Sequence, residues 1–447
     1  MPRVVKRKPK VKPKTAKKKV TKKKKKSAKK KSTKQKSKYA VKDRHARVLK
    51  VVGEMNKALG GDGKVMTGAE VEDLQFRKER TGNPVYDYVT DGGLIRGGAS
   101  CAWGPDRTAK TSQLAHTIRE YQRRGLSCML GAVETFDKPW WRRIGVYIPY
   151  SAFEIDSLPW KEDKKAAKRY NAYYEKLGRI PLTLAMHANG IRVLDMVVGA
   201  SKRNVFDLIG VDSLGAVVDI DEVEGKSLSD QKYGGNSRVM GVFSNFITST
   251  FNFRFNEDGS YNAAGDFDNQ TTVLCLNQAR VEIGTKANAK HKQFHPPGGY
   301  GLRHLWNQAL FHSEGEEFAE YITSNGRRVR DVKAREFRIF GAKMRGGPEQ
   351  RQAGITMSLK DWQDGPVHHK SGELDVWGSL RALSVQLGVI ERRGANLYYG
   401  DSMWKGREAM EHAMREDDDL YEALYDDMLA AAHRDSVGGS VPEVPDL

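Results

Sequence analysis

The stretch Gly104-Pro-Asp-Arg-Thr-Ala-Lys-Thr111 decides the fold of this chain. It follows a short apolar run and precedes a segment with apolar residues at helical spacing, so the sequence predicts a strand, a loop and a helix in that order. In such a loop the backbone N–H groups and the helix N-terminus bind phosphate. Lys110 is expected to reach the β and γ phosphate oxygens, and the Thr111 hydroxyl to bind Mg²⁺. The sequence therefore predicts a site for a nucleoside triphosphate, formed by Gly104, Pro105, Asp106, Arg107, Thr108, Ala109, Lys110 and Thr111.

One position departs from the usual pattern of this loop. Ala109 stands where glycine is expected, and alanine lacks the freedom of glycine at positive φ. We expect nucleotide binding to survive this change and hydrolysis to be slower.

Three further apolar runs end in polar residues that suit a hydrolytic site. The candidate strands are Ala99–Trp103, Ser127–Val133, Val205–Val211 and Thr272–Leu276. Open parallel sheets place ligands at the carboxyl ends of their strands. There, Glu134 is expected to activate the attacking water, Asp212 to support Mg²⁺, and Gln278 to sense the γ-phosphate. The strands alternate with amphipathic stretches, which predicts an α/β fold with a mostly parallel sheet flanked by helices.

The regions around this core differ in composition. Residues 1–38 hold 21 of the 76 Lys and Arg residues and no acid, so 55 basic residues remain against 56 acidic ones. This tail is expected to be disordered and to attract nucleic acid, with solubilisation or localisation as the alternative. We predict an amphipathic helix over 41–59 and a helical hairpin over 159–190. The expected parts are the tail at 1–38, an N-terminal segment at 39–75, the core at 76–360, a small C-terminal domain at 361–430 and a flexible tail at 431–447.

Several classes of site and location are disfavoured by the sequence. Cys101, Cys128 and Cys275 lie in separate apolar runs, which predicts buried free thiols rather than disulfides or a zinc site. His291 and His295 precede Pro-Pro-Gly-Gly and have no acidic partner nearby, which argues against a metal site. No apolar run is long enough for a membrane span or a secretory signal, so a cytoplasmic protein is expected.

Taken together, these motifs resemble those of the RecA recombinase family over about residues 48 to 425. The similar stretches are KALGGDGKVMTGAE (Lys57–Glu70), GPDRTAKT, VETFDKPWWRRIGV (Val133–Val146), LIGVDSLGAV (Leu208–Val217), LNQARVEIG (Leu276–Gly284) and LGVIERRGANLYYGDSMWKGRE (Leu387–Glu408). The resemblance implies a RecA-type phosphate-loop NTPase core, an N-terminal oligomerisation helix and a small α+β C-terminal domain. It implies ATP and Mg²⁺ as cofactors.

The resemblance also assigns residues outside the phosphate loop. Trp141 falls where the family stacks an aromatic ring on adenine, and Lys343, with Arg345 beside it, where the family reaches across the filament interface. Val223–Asp230 and the glycine-rich, basic segment Val281–Gly301 fall at the two DNA loops. The DNA-binding residues implied there are Lys226, Lys232, Arg280, Lys286, Lys290, Lys292, Gly298 and Gly299.

The function that follows is an ATP-dependent recombinase in DNA recombination and repair. Its subunits would form a helical filament on single-stranded DNA and pair it with double-stranded DNA. The insertion and the basic tail differ from the ordinary cellular members, which points to a phage or viral version working near the nucleoid; nuclear targeting by the tail is the alternative. Two other functions stay open: a DNA-coating or mediator protein that binds ATP without strand exchange, and a ring-shaped helicase motor.

Overall fold

The computed structural model describes most of the chain between residues 41 and 437. The described ranges are 41–59, 77–217, 235–251, 270–281, 294–296, 302, 304–324, 327–364 and 367–437. The chain divides into two compact units, one ending at Ala58 and the other beginning at Leu59. The first contains the helix α1 (Val41–Leu59), which confirms the amphipathic helix predicted there. Val48, Leu49, Val51 and Met55 of α1 are exposed.

The second unit contains the strands of the described chain. They are β1 (Lys78–Glu79), β2 (Leu94–Ile95), β3 (Gly98–Gly104), β4 (Cys128–Ala132), β5 (Thr183–Met186), β6 (Leu208–Asp212), β7 (Thr272–Gln278), β8 (Arg280–Val281), β9 (Phe294–His295), β10 (Gln308–Ser324), β11 (Arg327–Met344), β12 (Gln352–Ser358), β13 (Trp362–Asp364), β14 (Val367–His369), β15 (Glu391–Arg393), β16 (Asn396–Tyr399) and β17 (Ser402–Lys405).

The helices of this unit lie between and after the strands. They are α2 (Pro84–Val89), α3 (Lys110–Arg123), α4 (Lys138–Ile144), α5 (Ala152–Ser157), α6 (Lys161–Lys176), α7 (Gly190–Lys202), α8 (Gly235–Thr250), α9 (Val376–Gln386), α10 (Arg407–Glu416) and α11 (Asp418–Val437). Within the described part of the chain, no helix combines the length and apolarity that a bilayer crossing requires.

A central sheet of eight strands organises this unit, in the order β12-β11-β10-β3-β7-β6-β4-β5. The strands from β10 to β5 in this order are parallel to their neighbours, whereas β11 and β12 extend the sheet antiparallel. The four predicted strands correspond to β3, β4, β6 and β7, which lie side by side in the middle of the sheet. The predicted α/β architecture with a mostly parallel sheet is therefore confirmed.

Alternate residues of the central strands face opposite sides of the sheet, and both sides are covered. Ile209 and Val211 of β6 belong to one apolar cluster with α7 and α8, while Leu208 belongs to another with α3 and α4. This explains why the strands read as continuous apolar runs rather than as alternating ones. All three cysteines are free and buried, as predicted.

Three features differ from the sequence-based predictions. The hairpin predicted over 159–190 is wrong: one helix, α6, is followed by β5, which pairs with β4 at the edge of the sheet. The run Thr183–Met186 is too short for its sequence to distinguish a strand from a helix, and only Ala185 in it is buried. The segment from Val281 was predicted as a loop, yet β8 and β9 pair at its described ends. The last helix, α11, also continues past residue 430, where we placed a boundary.

The C-terminal helices share one apolar core with the antiparallel side of the sheet. Leu380 of α9, Met410 of α10 and Leu424 of α11 pack in the same cluster as Val85 of α2 and Phe337 of β11. A second contact joins these parts, because the Tyr425 hydroxyl donates a 2.6 Å hydrogen bond to the buried carboxylate of Asp87. Through these contacts, the C-terminal helices lie against elements of the core.

Candidate functional site

The phosphate loop lies between β3 and α3, as the sequence predicts. Strand β3 ends at Gly104, and α3 begins at Lys110. Two residues of the loop turn the backbone through the left-handed region: Arg107 at φ 62° and Ala109 at φ 58°. This backbone conformation costs alanine about 1–2 kcal/mol, whereas glycine adopts it without strain. Ala109 adopts it nevertheless. The alanine substitution therefore keeps the shape of the loop.

The side chain of Lys110 folds back over the loop. Its Nζ donates hydrogen bonds to the carbonyls of Gly104 at 3.0 Å and Pro105 at 2.6 Å, and to Thr108 Oγ1 at 3.3 Å. Burial lowers the pKa of Lys110, and the carboxylates of Asp106, Asp212 and Glu134 oppose that shift. The ammonium group is thus held at the loop by weak carbonyl acceptors, which phosphate oxygens could replace with stronger, charge-assisted hydrogen bonds.

Thr111 and Asp212 meet across two neighbouring elements. The Thr111 hydroxyl donates a 2.9 Å hydrogen bond to Asp212 Oδ2 at the end of β6. Burial raises the pKa of Asp212 to about 6, and the charge of Glu134 acts in the same direction. A hydroxyl and a carboxylate are oxygen ligands of the kind that Mg²⁺ prefers, and the ion usually completes its shell with waters and substrate phosphates. The two side chains predicted to hold Mg²⁺ therefore fit that ion.

Glu134 lies just past the end of β4, beside the same edge of the sheet. Its backbone N–H donates to the carbonyl of Asp212 at 3.1 Å, and its carboxylate accepts a hydrogen bond from the hydroxyl of Ser213. Glu134 is also exposed, so water reaches its carboxylate. A carboxylate held by a neighbouring strand and open to solvent can orient and deprotonate a water molecule.

Gln278 lies at the end of β7, beside the start of the phosphate loop. It pairs with Gly104 in the register of β7 and β3, and the next residue, Ala279, donates its N–H to the Gly104 carbonyl at 2.8 Å. Its side chain lies over Gly215, where an added Cβ would stand 3.3 Å from Gln278 Oε1. Gln278 thus touches the phosphate loop through its backbone and the turn after Asp212 through its side chain. The structure brings Lys110, Thr111, Glu134, Asp212 and Gln278 to one edge of the sheet.

Sequence reasoning missed a buried pair behind the loop, His312 and Tyr86. His312 Nδ1 lies 3.0 Å from the Thr108 carbonyl, and its Nε2 is hydrogen-bonded to the Tyr86 hydroxyl. Burial lowers the pKa of His312 to about 3, so the ring is neutral: Nδ1–H donates to Thr108 and Nε2 accepts from Tyr86. An added Cβ at Gly104 would stand 2.3 Å from the His312 carbonyl oxygen, so the loop lies directly against this strand. This contact depends on the pairing of β10 with β3, and no local sequence motif predicts it.

The remaining predicted site residues lie elsewhere. Trp141 is only 3% exposed and packs with Phe136 and Trp140 in the core, so its ring is not open for stacking on adenine in this structure. Lys343 is half-buried on β11. Burial lowers the pKa of its ammonium group, and the charge of Arg345 lowers it further. Arg280 is exposed on β8. The other predicted DNA-binding residues lie outside the described part of the chain: Lys226, Lys232, Lys286, Lys290, Lys292, Gly298 and Gly299.

Comparisons with known proteins relate the whole chain to RecA proteins. No family model matches the chain. The chain is 22% identical over 391 residues to Protein RecA of Chlorobium chlorochromatii, covering 87% of this chain and 91% of that protein. It is 22% identical over 399 residues to Protein RecA of Mycoplasma mobile, covering 87% and 98%. Among solved structures, a RadB recombinase matches at 15% identity and a TM-score of 0.35, over 62% of this chain and 94% of that one.

The sheet order and the loop at the end of β3 define the class: a phosphate-loop NTPase fold with a RecA-type α/β core. The relatives match over nearly the whole length of both chains, from the N-terminal region to the C-terminal helices. The chain is therefore similar to RecA proteins over most of its length, at an identity that marks it as divergent from them.

Proposed function

We propose that this protein is an ATP-hydrolysing DNA recombinase that forms filaments on single-stranded DNA and catalyses homologous pairing and strand exchange. The observation that carries the proposal is the convergence of Lys110, Thr111, Glu134, Asp212 and Gln278 at one edge of the sheet. A protein that only bound nucleotide would have no chemical need for a water-activating carboxylate and a γ-phosphate sensor beside its phosphate loop.

The roles follow from the positions of these side chains. Lys110 would exchange the Gly104 and Pro105 carbonyls for β and γ phosphate oxygens when ATP binds. Thr111 and Asp212 would hold Mg²⁺, which neutralises the phosphate charge when bound. Glu134 would orient and deprotonate the attacking water. Lys110, Thr111, Asp212 and Gln278 are half-buried and Glu134 is exposed, so water can reach the site, while partial burial strengthens the charged interactions of Lys110 and Asp212.

Coupling to DNA would begin at Gln278. Its side chain would respond to the γ-phosphate, and the chain continues directly into Arg280 and the segment proposed as a DNA loop. Arg280 is exposed at the start of that segment and would contact the phosphate backbone. An ATP-dependent change at Gln278 would thus order a DNA-binding segment, as other nucleotide switches order theirs.

Filament formation would use the N-terminal helix. Val48, Leu49, Val51 and Met55 of α1 are exposed apolar side chains on a helix of the first unit. Covering them with a second copy of the chain would remove apolar surface from water. Lys343 would reach the nucleotide of the neighbouring subunit, which suits its position on β11 near Arg345.

The proposal is tested by ATP hydrolysis with and without single-stranded DNA, together with an ATP-dependent D-loop assay. We expect DNA to stimulate hydrolysis and ATP to permit D-loop formation. The variant Glu134→Gln should retain ATP binding and lower turnover by about 100-fold, because it removes the base that activates water. Asp195→Asn, an exposed change on α7, is the matched control and should keep full turnover. Unchanged turnover in Glu134→Gln, with no DNA stimulation in the native chain, would instead favour a DNA-coating protein.

A further inference from the structure

A second cavity lies away from the phosphate loop, beside the C-terminal half of α3. Its volume is about 510 Å³, within the range of small-molecule sites. Its walls come from α3, α4 and the C-terminal helices α9 to α11. Arg119 and Arg123 of α3 line it, about 14 and 20 Å along the helix axis from Lys110. The cavity is therefore separate from the nucleotide site but shares a helix with it.

The lining of the cavity is strongly cationic. Eight of its side chains are arginine or lysine and four are aspartate or glutamate, so positive charge exceeds negative charge by four. The acids are largely occupied: Glu422 pairs with Arg80 at 3.1 Å and with Arg123 at 2.7 Å, and Glu373 pairs with Arg415 at 3.6 Å.

Other cations of the cavity have no such partner. Within the described residues, Arg119, Arg143 and Lys370 form no ion pair with an acid. In the described residues, Arg119 donates one hydrogen bond, to the Ile144 carbonyl at 3.2 Å; burial lowers its pKa, and the charges of Glu120 and Glu373 oppose that shift. Arg143 and Lys370 are exposed, so solvent screens their charges, whereas Arg119 is half-buried. The net positive charge of the lining therefore costs free energy mainly around Arg119, and an anion would offset that cost.

Two buried polar atoms add detail about the ligand. His116 Nδ1 and Arg415 Nε have no hydrogen-bond partner in the described part of the chain. Such atoms are rare in folded proteins. His116 Nε2 lies 3.2 Å from the Gly372 carbonyl, so it carries the proton and leaves Nδ1 as an acceptor. A complementary ligand would thus bring a hydroxyl donor for His116 and anionic oxygens for the arginines.

We propose that this cavity binds a small phosphate ester that bears hydroxyl groups, the chemical class to which nucleotides belong. Phosphate oxygens match the unpaired guanidinium groups, which bind them in bidentate geometry. A sugar hydroxyl matches His116 Nδ1. The occupant would bridge α3, whose first turn forms the phosphate loop, and the helices α9 to α11. The cavity would then let a small anion regulate how firmly the C-terminal helices are held against the helix that binds ATP.

The test uses the full chain carrying Lys110→Ala, which weakens the phosphate-loop site, and isothermal titration with ADP and with inorganic pyrophosphate. We expect one ADP per chain to bind, more tightly than pyrophosphate, because pyrophosphate lacks the sugar hydroxyls. Adding Arg143→Glu and Lys370→Glu should weaken ADP binding by about 10-fold or more, since two attractive charges become repulsive. The matched control adds Arg192→Glu and Lys161→Glu, two exposed changes of the same charge outside the cavity, and should leave ADP binding unchanged.

Two outcomes would overturn the proposal. The first is equal ADP affinity in the cavity variant and its control. The second is displacement of ADP by a short single-stranded oligonucleotide that itself depends on Arg143 and Lys370, which would make the cavity part of a DNA surface. If the cavity variant does not fold, photolabelling of the Lys110→Ala chain with azido-ADP decides the question. Label on 116–123 or 415–425 supports the cavity, and label confined to 104–111 or 137–145 contradicts it.

Discussion

The two ends of α3 present positive charge in different ways. At its N-terminus the loop from Gly104 offers backbone amides, a helix end and one lysine, Lys110. At its C-terminal half the cavity offers side-chain cations from several separate segments, of which Arg119 and Arg123 belong to the helix itself. The helix dipole favours anions at the first end and cations at the second. Anion binding by backbone amides would depend on the shape of the loop, whereas anion binding by a cluster of arginines would depend on the number of charges in the cluster.

The first test of this difference between the two ends of α3 is at Lys110, where we expect the largest loss of ATP turnover. Lys110→Ala removes the only cationic side chain that hydrogen-bonds to the loop in the described structure. Turnover should fall by about 100-fold or more, because charge developing on the phosphates in the transition state loses its partner. Steady-state ATP hydrolysis measures this, with the change Arg192→Ala at an exposed side chain of α7 as the control. A fully active Lys110→Ala enzyme would contradict the assignment of the site.

An intermediate effect is expected behind the loop, at His312. His312→Phe keeps the ring volume but removes the hydrogen bonds to the Thr108 carbonyl and to the Tyr86 hydroxyl. Two buried polar groups then lack partners, so the free energy of unfolding should fall by about 2–4 kcal/mol. Turnover should fall as well, because Thr108 belongs to the loop. Denaturant unfolding measures the first effect.

The matched variant for His312 is Tyr86→Phe, which removes only one of the two hydrogen bonds. It should cost about half as much stability and leave the loop in place. In a double-mutant cycle the two changes should couple, since both act through His312 Nε2. Additive losses would show that the pair does not work as a unit.

The smallest effect is expected at Ala109. Ala109→Gly relieves the positive φ of 58°, but the more flexible unfolded chain and the lost methyl contact offset much of that gain. The free energy of unfolding should therefore rise by no more than about 1 kcal/mol. Ala109→Val should be destabilised by more than that, because a β-branched residue fits the left-handed region poorly. Thermal unfolding of both variants gives the comparison, and a Val variant as stable as the native chain would refute the role given to the loop backbone.

The centre of the sheet could be predicted from the sequence because its signals are local. Each of β3, β4, β6 and β7 is a continuous apolar run, and parallel strands bring their carboxyl ends to one edge. Glu134 and Asp212 could therefore be placed near Lys110 by their positions in the sequence alone. The relatives then show that the chain is similar to RecA proteins, while the roles of these residues stay predictions.

The rest depends on contacts between distant segments. His312 and Tyr86 are 226 residues apart, and each is an ordinary buried side chain until β10 pairs with β3. The edge strand β5 is only four residues long, too short for its sequence to distinguish a strand from a helix. The burial of Trp141 is decided by the packing of α4, which a motif of adjacent aromatic residues does not specify. The cationic cavity likewise combines residues from α3 to α11 that have no shared sequence pattern.

The hydrogen bond between Thr111 and Asp212 joins two residues that are 101 positions apart in the chain. These oxygens come together only when β3, β7, β6 and α3 have all assembled, so the proposed Mg²⁺ site does not exist in the unfolded chain. A ligand that bridges them binds the folded state alone and stabilises it by mass action. Nucleotide binding would thus raise the free energy of unfolding of the sheet. Nucleotide release would lower the stability of the same strands that hold Glu134 and Gln278.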